Sequence, residues 1–177
     1  MDAFEQLVSE ILWAGGYWVQ TSVKVNLTKA EKRRINRPSS PRWELDVVGY
    51  QAQSNRLLVL ECKSYINSRG VRWVDVCGNS SSSRYKLFRE PTLRRVVLNR
   101  LCRQMVSAGS CAPGVTACLG LAAGKIYGAD QSELEKSFAQ NGWVFFGPDW
   151  LSGKLKELSA GQYENQVSAV VAKLLRN

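Results

Sequence analysis

The chain has 177 residues, 45% of them hydrophobic, with 24 Lys and Arg against 15 Asp and Glu, a formal net charge of +9 and no histidine. That length suits one core of ordinary size, and the missing histidine excludes Ser-His-Asp and Cys-His catalysis, histidine-based phosphodiester cleavage and any histidine metal ligand. No apolar run approaches the roughly twenty residues that span a bilayer, the N-terminus lacks a signal-peptide pattern and the five cysteines form no C-x-x-C pair, so the expectation is one cytoplasmic domain over 1–177 without a membrane partner, a disulfide framework or zinc.

Asp2 to Trp13 carries Phe4, Leu7, Val8, Ile11 and Leu12 at the spacing of an amphipathic helix, and Gly15-Gly16 ends it. Tyr17 to Val25 alternates and is rich in β-branched residues, as a strand requires. Thr28 with Glu31 forms a capping-box pattern that predicts a short helical turn through Ile35, before the loop Pro38-Ser39-Ser40-Pro41. Two strands follow, around Trp43-Glu44-Leu45-Asp46-Val47-Val48-Gly49 and Leu57-Leu58-Val59-Leu60-Glu61-Cys62-Lys63, separated by a hairpin loop centred on Gln53-Ser54-Asn55. Between Lys63 and Pro91 lie an expected extra strand at Val71 to Val76 and a polar tract from Asn79 to Ser83. Pro91 opens a helix with Leu93, Val97, Leu101 and Met105 on one stripe. Val115 to Ala122 reads as a buried strand. The last third adds a helix capped by Asp130 with Glu133, a strand at Trp143 to Phe146, a helix from Pro148 to Leu158, and a last helix from Tyr163 to Arg176. The stripe Val167, Val170, Val171, Leu174 and Leu175 on that helix is expected to pack into the same core, with a dimer contact as the alternative.

The acids in the two central strands need an explanation, because a carboxylate withdrawn from water costs several kcal/mol unless it is compensated. Side chains alternate across a strand, so Glu44 and Asp46 share a face, as do Glu61 and Lys63. If Tyr50 pairs with Leu57, Asp46 lies opposite Glu61, Glu44 lies opposite Lys63, and all four point the same way. Directly opposed carboxylates repel unless a cation lies between them, and an all-oxygen site suits magnesium or manganese. The plainer alternative is a buried Asp46–Lys63 ion pair with Glu44 merely solvated.

Asp46 followed by Glu61-Cys62-Lys63 at the end of an apolar strand resembles the D…(D/E)-x-K signature of the PD-(D/E)XK nuclease superfamily, the restriction-endonuclease-like fold. The wording around it is similar to members that include archaeal Holliday-junction resolvases, methyl-directed restriction enzymes and nuclease domains of CRISPR ancillary proteins. The resemblance implies an α/β fold whose core, about residues 2–123, runs helix, three strands, helix, strand. That core has a mixed central sheet flanked by helices, and residues 124–177 form a C-terminal αβα extension. It implies that Asp46, Glu61 and the main-chain carbonyl of Cys62 bind Mg²⁺, with Mn²⁺ able to substitute, and that Lys63 orients water and stabilises the transition state. Glu5 occupies the place of an acid that reaches the metal through water in relatives, yet Asp2-Ala3-Phe4-Glu5 is also a capping box, and both readings stand. Glu10 is a weaker substitute for Glu5, and Gln104 resembles a glutamine that some relatives place near the site. Relatives often dimerise, so a homodimer is a further expectation.

Basic residues cluster at Lys29, Lys32, Arg33, Arg34, Arg37 and Arg42, and again from Arg84 to Arg103. The nucleic-acid-binding candidates are Lys32, Arg33, Arg34, Arg37, Arg42, Arg69, Arg84, Arg94 and Arg95, directed at phosphate and without sequence specificity. Trp18, Trp43, Tyr65 and Trp73 are candidates for stacking on bases. The expected activity is Mg-dependent endonucleolytic cleavage of nucleic acid, DNA ahead of RNA, in defence, restriction or repair. The alternatives are a silent binding module of the same fold and a protein-interaction subunit with a basic face.

Overall fold

The computed structural model describes residues 2–39, 42–80, 82–160 and 166–176. Thirteen elements follow one another: α1 (Ala3–Ala14), β1 (Trp18–Val25), α2 (Lys29–Arg34), β2 (Trp43–Gln51), β3 (Arg56–Lys63), the single turns α3 (Trp73–Val76) and α4 (Lys86–Arg89), α5 (Pro91–Ser107), β4 (Thr116–Ala123), α6 (Asp130–Asn141), β5 (Val144–Phe146), α7 (Pro148–Ala160) and α8 (Val167–Arg176). The five strands form one mixed sheet in sequence order. β1, β2 and β3 are mutually antiparallel, whereas β4 and β5 continue parallel to β3.

Helices cover both faces. Leu93, Val97, Leu101 and Met105 of α5 join Leu57, Val59, Leu119 and Leu121 of the sheet in one core, to which α6 adds Leu134 and Phe138. Phe4, Val8, Ile11 and Leu12 of α1 pack with Val47, Leu58, Leu60 and Cys62 on the opposite face, beside Leu151 of α7. β3 is buried from both sides, which explains its unbroken Leu-Leu-Val-Leu run. The expected hairpin register holds, with Tyr50 opposite Leu57 and Gln51 opposite Arg56. Asn55, in the left-handed region at φ +46°, closes the turn and accepts from the Tyr50 hydroxyl at 3.0 Å. Both expected capping boxes form, Asp2 with Glu5 and Thr28 with Glu31.

Three expectations are corrected. Val71 to Val76 is not a strand: Val71 makes a single bridge to Ile126, and α3 begins two residues later because the Asp130 carboxylate accepts from the Trp73 N–H at 2.8 Å. Gly70 permits that bridge, since a Cβ there would lie 2.6 Å from the Ile126 carbonyl carbon, and its φ of +95° suits glycine alone. Asp130 accordingly serves α3 and is the first residue of α6, not its cap, which is Ala129. The apolar stripe of the last helix does not enter the core: Val167, Leu174 and Leu175 are 67%, 71% and 83% exposed. α8 turns its small residues inward instead, with Ala169 buried. The expected start of that helix at Tyr163 lies outside the described residues.

Candidate active site at the end of the central strands

The site begins with an irregularity that β1 and β2 share. Their pairing is regular from Trp18–Tyr50 to Thr21–Val47 and again from Val23–Leu45 to Val25–Trp43, but Ser22 and Asp46 do not pair. Ser22 has a φ of +52°, a strained value for a residue with a Cβ. Both strands exchange faces here: Val19 and Val47 belong to the α1 side, whereas Val23 and Leu45 belong to the α5 side. Asp46 sits at that crossover. The β2–β3 ladder ends at Val47–Leu60, and the Asp46 carboxylate reaches across to accept the Cys62 N–H at 2.8 Å, where a continued strand would have offered a carbonyl.

Lys63 completes the arrangement. Its ammonium donates to Glu61 Oε1 at 2.7 Å and contacts Asp46 Oδ2 at 3.3 Å, and it donates to the main-chain carbonyl of Cys62 at 2.9 Å. The three side chains retain 21–27% exposure. Burial pushes the Glu61 carboxyl above its ordinary range, and the Lys63 ammonium only partly opposes it. Burial would lower Lys63, but Glu61 and Asp46 outweigh it and hold the ammonium above its ordinary value. Cys62 itself packs on the α1 side, away from Glu61, and burial raises its thiol strongly.

Glu5 fits the capping-box reading of its sequence and also lies near the site. It forms the capping box, accepting from Asp2 N at 3.2 Å, and it lies within electrostatic reach of the site: burial, then the Asp46 carboxylate, raises its pKa. Glu10 is committed elsewhere, accepting the Ser168 N–H of α8 at 3.0 Å. Glu44 is exposed and faces Lys24 across β1–β2, not Lys63, because the β2–β3 ladder ends before it reaches either residue. Gln104 is not at the site either. Its amide accepts from Asn26 N and donates to Lys24 O, both at 3.0 Å, imitating a strand at the free edge of β1. Gln104→Ala should therefore cost about 0.5–1.5 kcal/mol in chemical denaturation, by removing hydrogen bonds at an edge that water can reach.

The basic candidates divide. Arg33, Arg34, Arg42, Arg69 and Arg95 are exposed, and Lys32 is half-buried. Arg37 is held by Glu90 at 2.8 Å and lies over Trp43, 5.5 Å from the ring. Arg94 is structural: it donates to the carbonyls of Leu87 and Phe88 at 3.0 and 2.9 Å and covers Trp143 at 4.9 Å. Arg84 donates to the Tyr65 hydroxyl at 2.6 Å. Of the stacking candidates, Trp18 is exposed, while Trp73 is tied by its indole N–H to Ser137 at 2.8 Å. The sequence pattern did not mark Tyr85, which is buried with a φ of +57°. It lies within electrostatic reach of Glu61.

Two carboxylates and one main-chain carbonyl thus converge on a single point, filled by the Lys63 ammonium. Among the described residues no three Asp, Glu, Cys or His side chains close around a common centre, so the convergent set depends on the Cys62 carbonyl. Its donors are all oxygen, and its one positive occupant sits at hydrogen-bond distance. That chemistry fits Mg²⁺ or Mn²⁺ once the ammonium moves aside. Compared with protein-family models, with curated proteins and with solved structures, the chain matches none.

Proposed function

We propose that the chain is a divalent-metal-dependent nuclease, cutting DNA in preference to RNA, with Asp46, Glu61 and the Cys62 carbonyl holding Mg²⁺ or Mn²⁺ and Lys63 serving the reacting phosphate. The observation that carries this reading is the convergence of those three oxygens on one cationic point at the end of β3. The bound ion would supply Lewis-acid stabilisation of charge on the phosphate and a more acidic water. Asp46 is oriented by the Cys62 N–H, which fixes one oxygen and leaves the carboxylate little rotational freedom. Lys63 remains an ammonium at neutral pH, since its two carboxylate partners hold its proton. Its role is therefore a point charge that orients water and offsets negative charge on the phosphate, not a base.

A silent binding module has one observation in its favour: Lys63 already compensates both acids without a metal ion. A cleavage assay on plasmid and linear DNA and on RNA separates the two. Nicking or cutting of DNA with Mg²⁺ or Mn²⁺, and none with EDTA, is expected; cleavage undiminished by EDTA contradicts the proposal. The pH profile follows from the shifts. A raised Glu61 pKa means that protons compete with the metal already above the ordinary value of about 4.3, so activity should fall on the acid side from a correspondingly higher pH.

A further inference from the structure

At the opposite end of β3 lies a cleft of about 830 Å³ between α5 and the starts of β3 and β4. Arg56, Arg95 and Arg103 line it together with Asn99 and Trp143, and no Asp or Glu is among its described lining residues. Three of its lining residues, Arg95, Asn99 and Arg103, also line a second, smaller groove of about 200 Å³, with Arg34 at its far side. The one acid there, Glu31, is already matched by Arg100 and Arg103 at 3.8 and 3.7 Å. Thr92, Arg95, Asn99 and Arg103 fall at helical spacing along the outer face of α5, a run of about 16 Å whose last three residues border both grooves. Arg56 and Arg95 are exposed, and among the described residues neither guanidinium has a hydrogen-bond or ion-pair partner.

We propose that these two grooves, bordered by the same basic face of α5, form a second nucleic-acid site, a track for the phosphate backbone of a strand whose other end reaches Lys63. Its open, elongated form and repeated guanidinium groups match a polymer of phosphates better than a single small anion, which needs a closed pocket. Arg56 and Lys63 are seven residues apart on one strand, about 23 Å, or roughly seven nucleotide steps of 3.4 Å rise. Leu57 and Val59, which share the face of Glu61 and Lys63, pack against α5, so α5 and the site lie on the same side of the sheet, and Arg56, which alternates to the other face, joins the cleft at the end of the strand. The inference rests on the nuclease reading only for where the strand leads; binding in the groove stands on its own chemistry.

The test is fluorescence anisotropy in EDTA with a labelled 30-base-pair duplex and a labelled hexanucleotide. The variants are Arg56→Glu, Arg95→Glu and their combination, with Lys156→Glu, exposed on α7, as a control of equal charge change per residue. The double variant should bind the duplex at least tenfold more weakly and lower the slope of log K against log salt by about two, with the shorter hexanucleotide weakened by less than the duplex and Lys156→Glu changed less than twofold. Unaltered duplex binding in the double variant, or an equal loss with Lys156→Glu, overturns the track. Displacement by ATP at concentrations that leave the duplex-to-hexamer preference untouched overturns it in favour of a small-anion site. Because no metal is present, the result is independent of turnover: a wild type that binds in this way and never cleaves with Mg²⁺ overturns the nuclease reading alone.

Discussion

Lys63→Met should tighten Mn²⁺ binding on the order of tenfold, about 1.4 kcal/mol, while lowering DNA cleavage by about 10²–10³-fold. The two effects have opposite signs because one ammonium has two roles. In the resting protein it sits 2.7 Å from Glu61 and 3.3 Å from Asp46, so an arriving divalent ion must displace it. In the proposed turnover the same charge would offset the phosphate. Methionine keeps the apolar stem and removes the competitor, leaving two carboxylates free for metal. Without metal the variant should be less stable at neutral pH by about 2 kcal/mol, less than the roughly 3–5 kcal/mol of a fully buried broken pair. The side chains retain a fifth to a quarter of their exposure, and Glu61, already raised, can take up a proton. Saturating Mn²⁺ should restore the loss by mass action. Calorimetric metal titration and thermal denaturation with and without Mn²⁺ check both halves; metal affinity reduced in Lys63→Met would contradict the competition.

Asp46→Asn and Asp46→Ala should separate the structural from the chemical role of one carboxylate. Both should abolish metal-dependent cleavage. Asparagine retains an oxygen for the Cys62 N–H, which now bonds at 2.8 Å, so the fold should change by less than about 1 kcal/mol. Alanine leaves that donor unsatisfied between two strands and should cost about 1–3 kcal/mol. Urea denaturation of the pair measures the difference. Equal stability of the two variants would mean that the Cys62 bond contributes nothing to holding β2 against β3.

The central strands were readable because their register rests on local signals: the turn at Gln53-Ser54-Asn55 and the apolar run of β3 together determine that Tyr50 faces Leu57. Extrapolating that register as perfect alternation misplaced Glu44. The crossover at Ser22 and Asp46 turns both strands over, and no pattern in the sequence announces a left-handed serine. The same crossover points the Asp46 carboxylate at the Cys62 N–H, a contact that alternation alone would not produce. Gln104 and Glu10 are hard to place from sequence for a related reason. Each is a polar residue on a helix whose partner is a backbone group distant in sequence, Asn26 and Lys24 for one, Ser168 for the other. Residue type alone does not distinguish such a bond from a catalytic one. Arg94 shows the limit of charge counting, since a guanidinium closing the carbonyls of α4 and covering Trp143 is not available to phosphate. Arg56 was passed over because it stands at a hairpin exit, and only the packing of α5 across β3 and β4 makes it part of a groove.

The most direct measurement is the stoichiometry of Mn²⁺ bound to the wild type and to Glu61→Gln, read by electron paramagnetic resonance at neutral pH. One ion per chain in the wild type, and its loss on replacing a single carboxylate oxygen by an amide, is the predicted result. No bound ion in the wild type, or undiminished binding in Glu61→Gln, would contradict a cation seat built from Asp46, Glu61 and the Cys62 carbonyl.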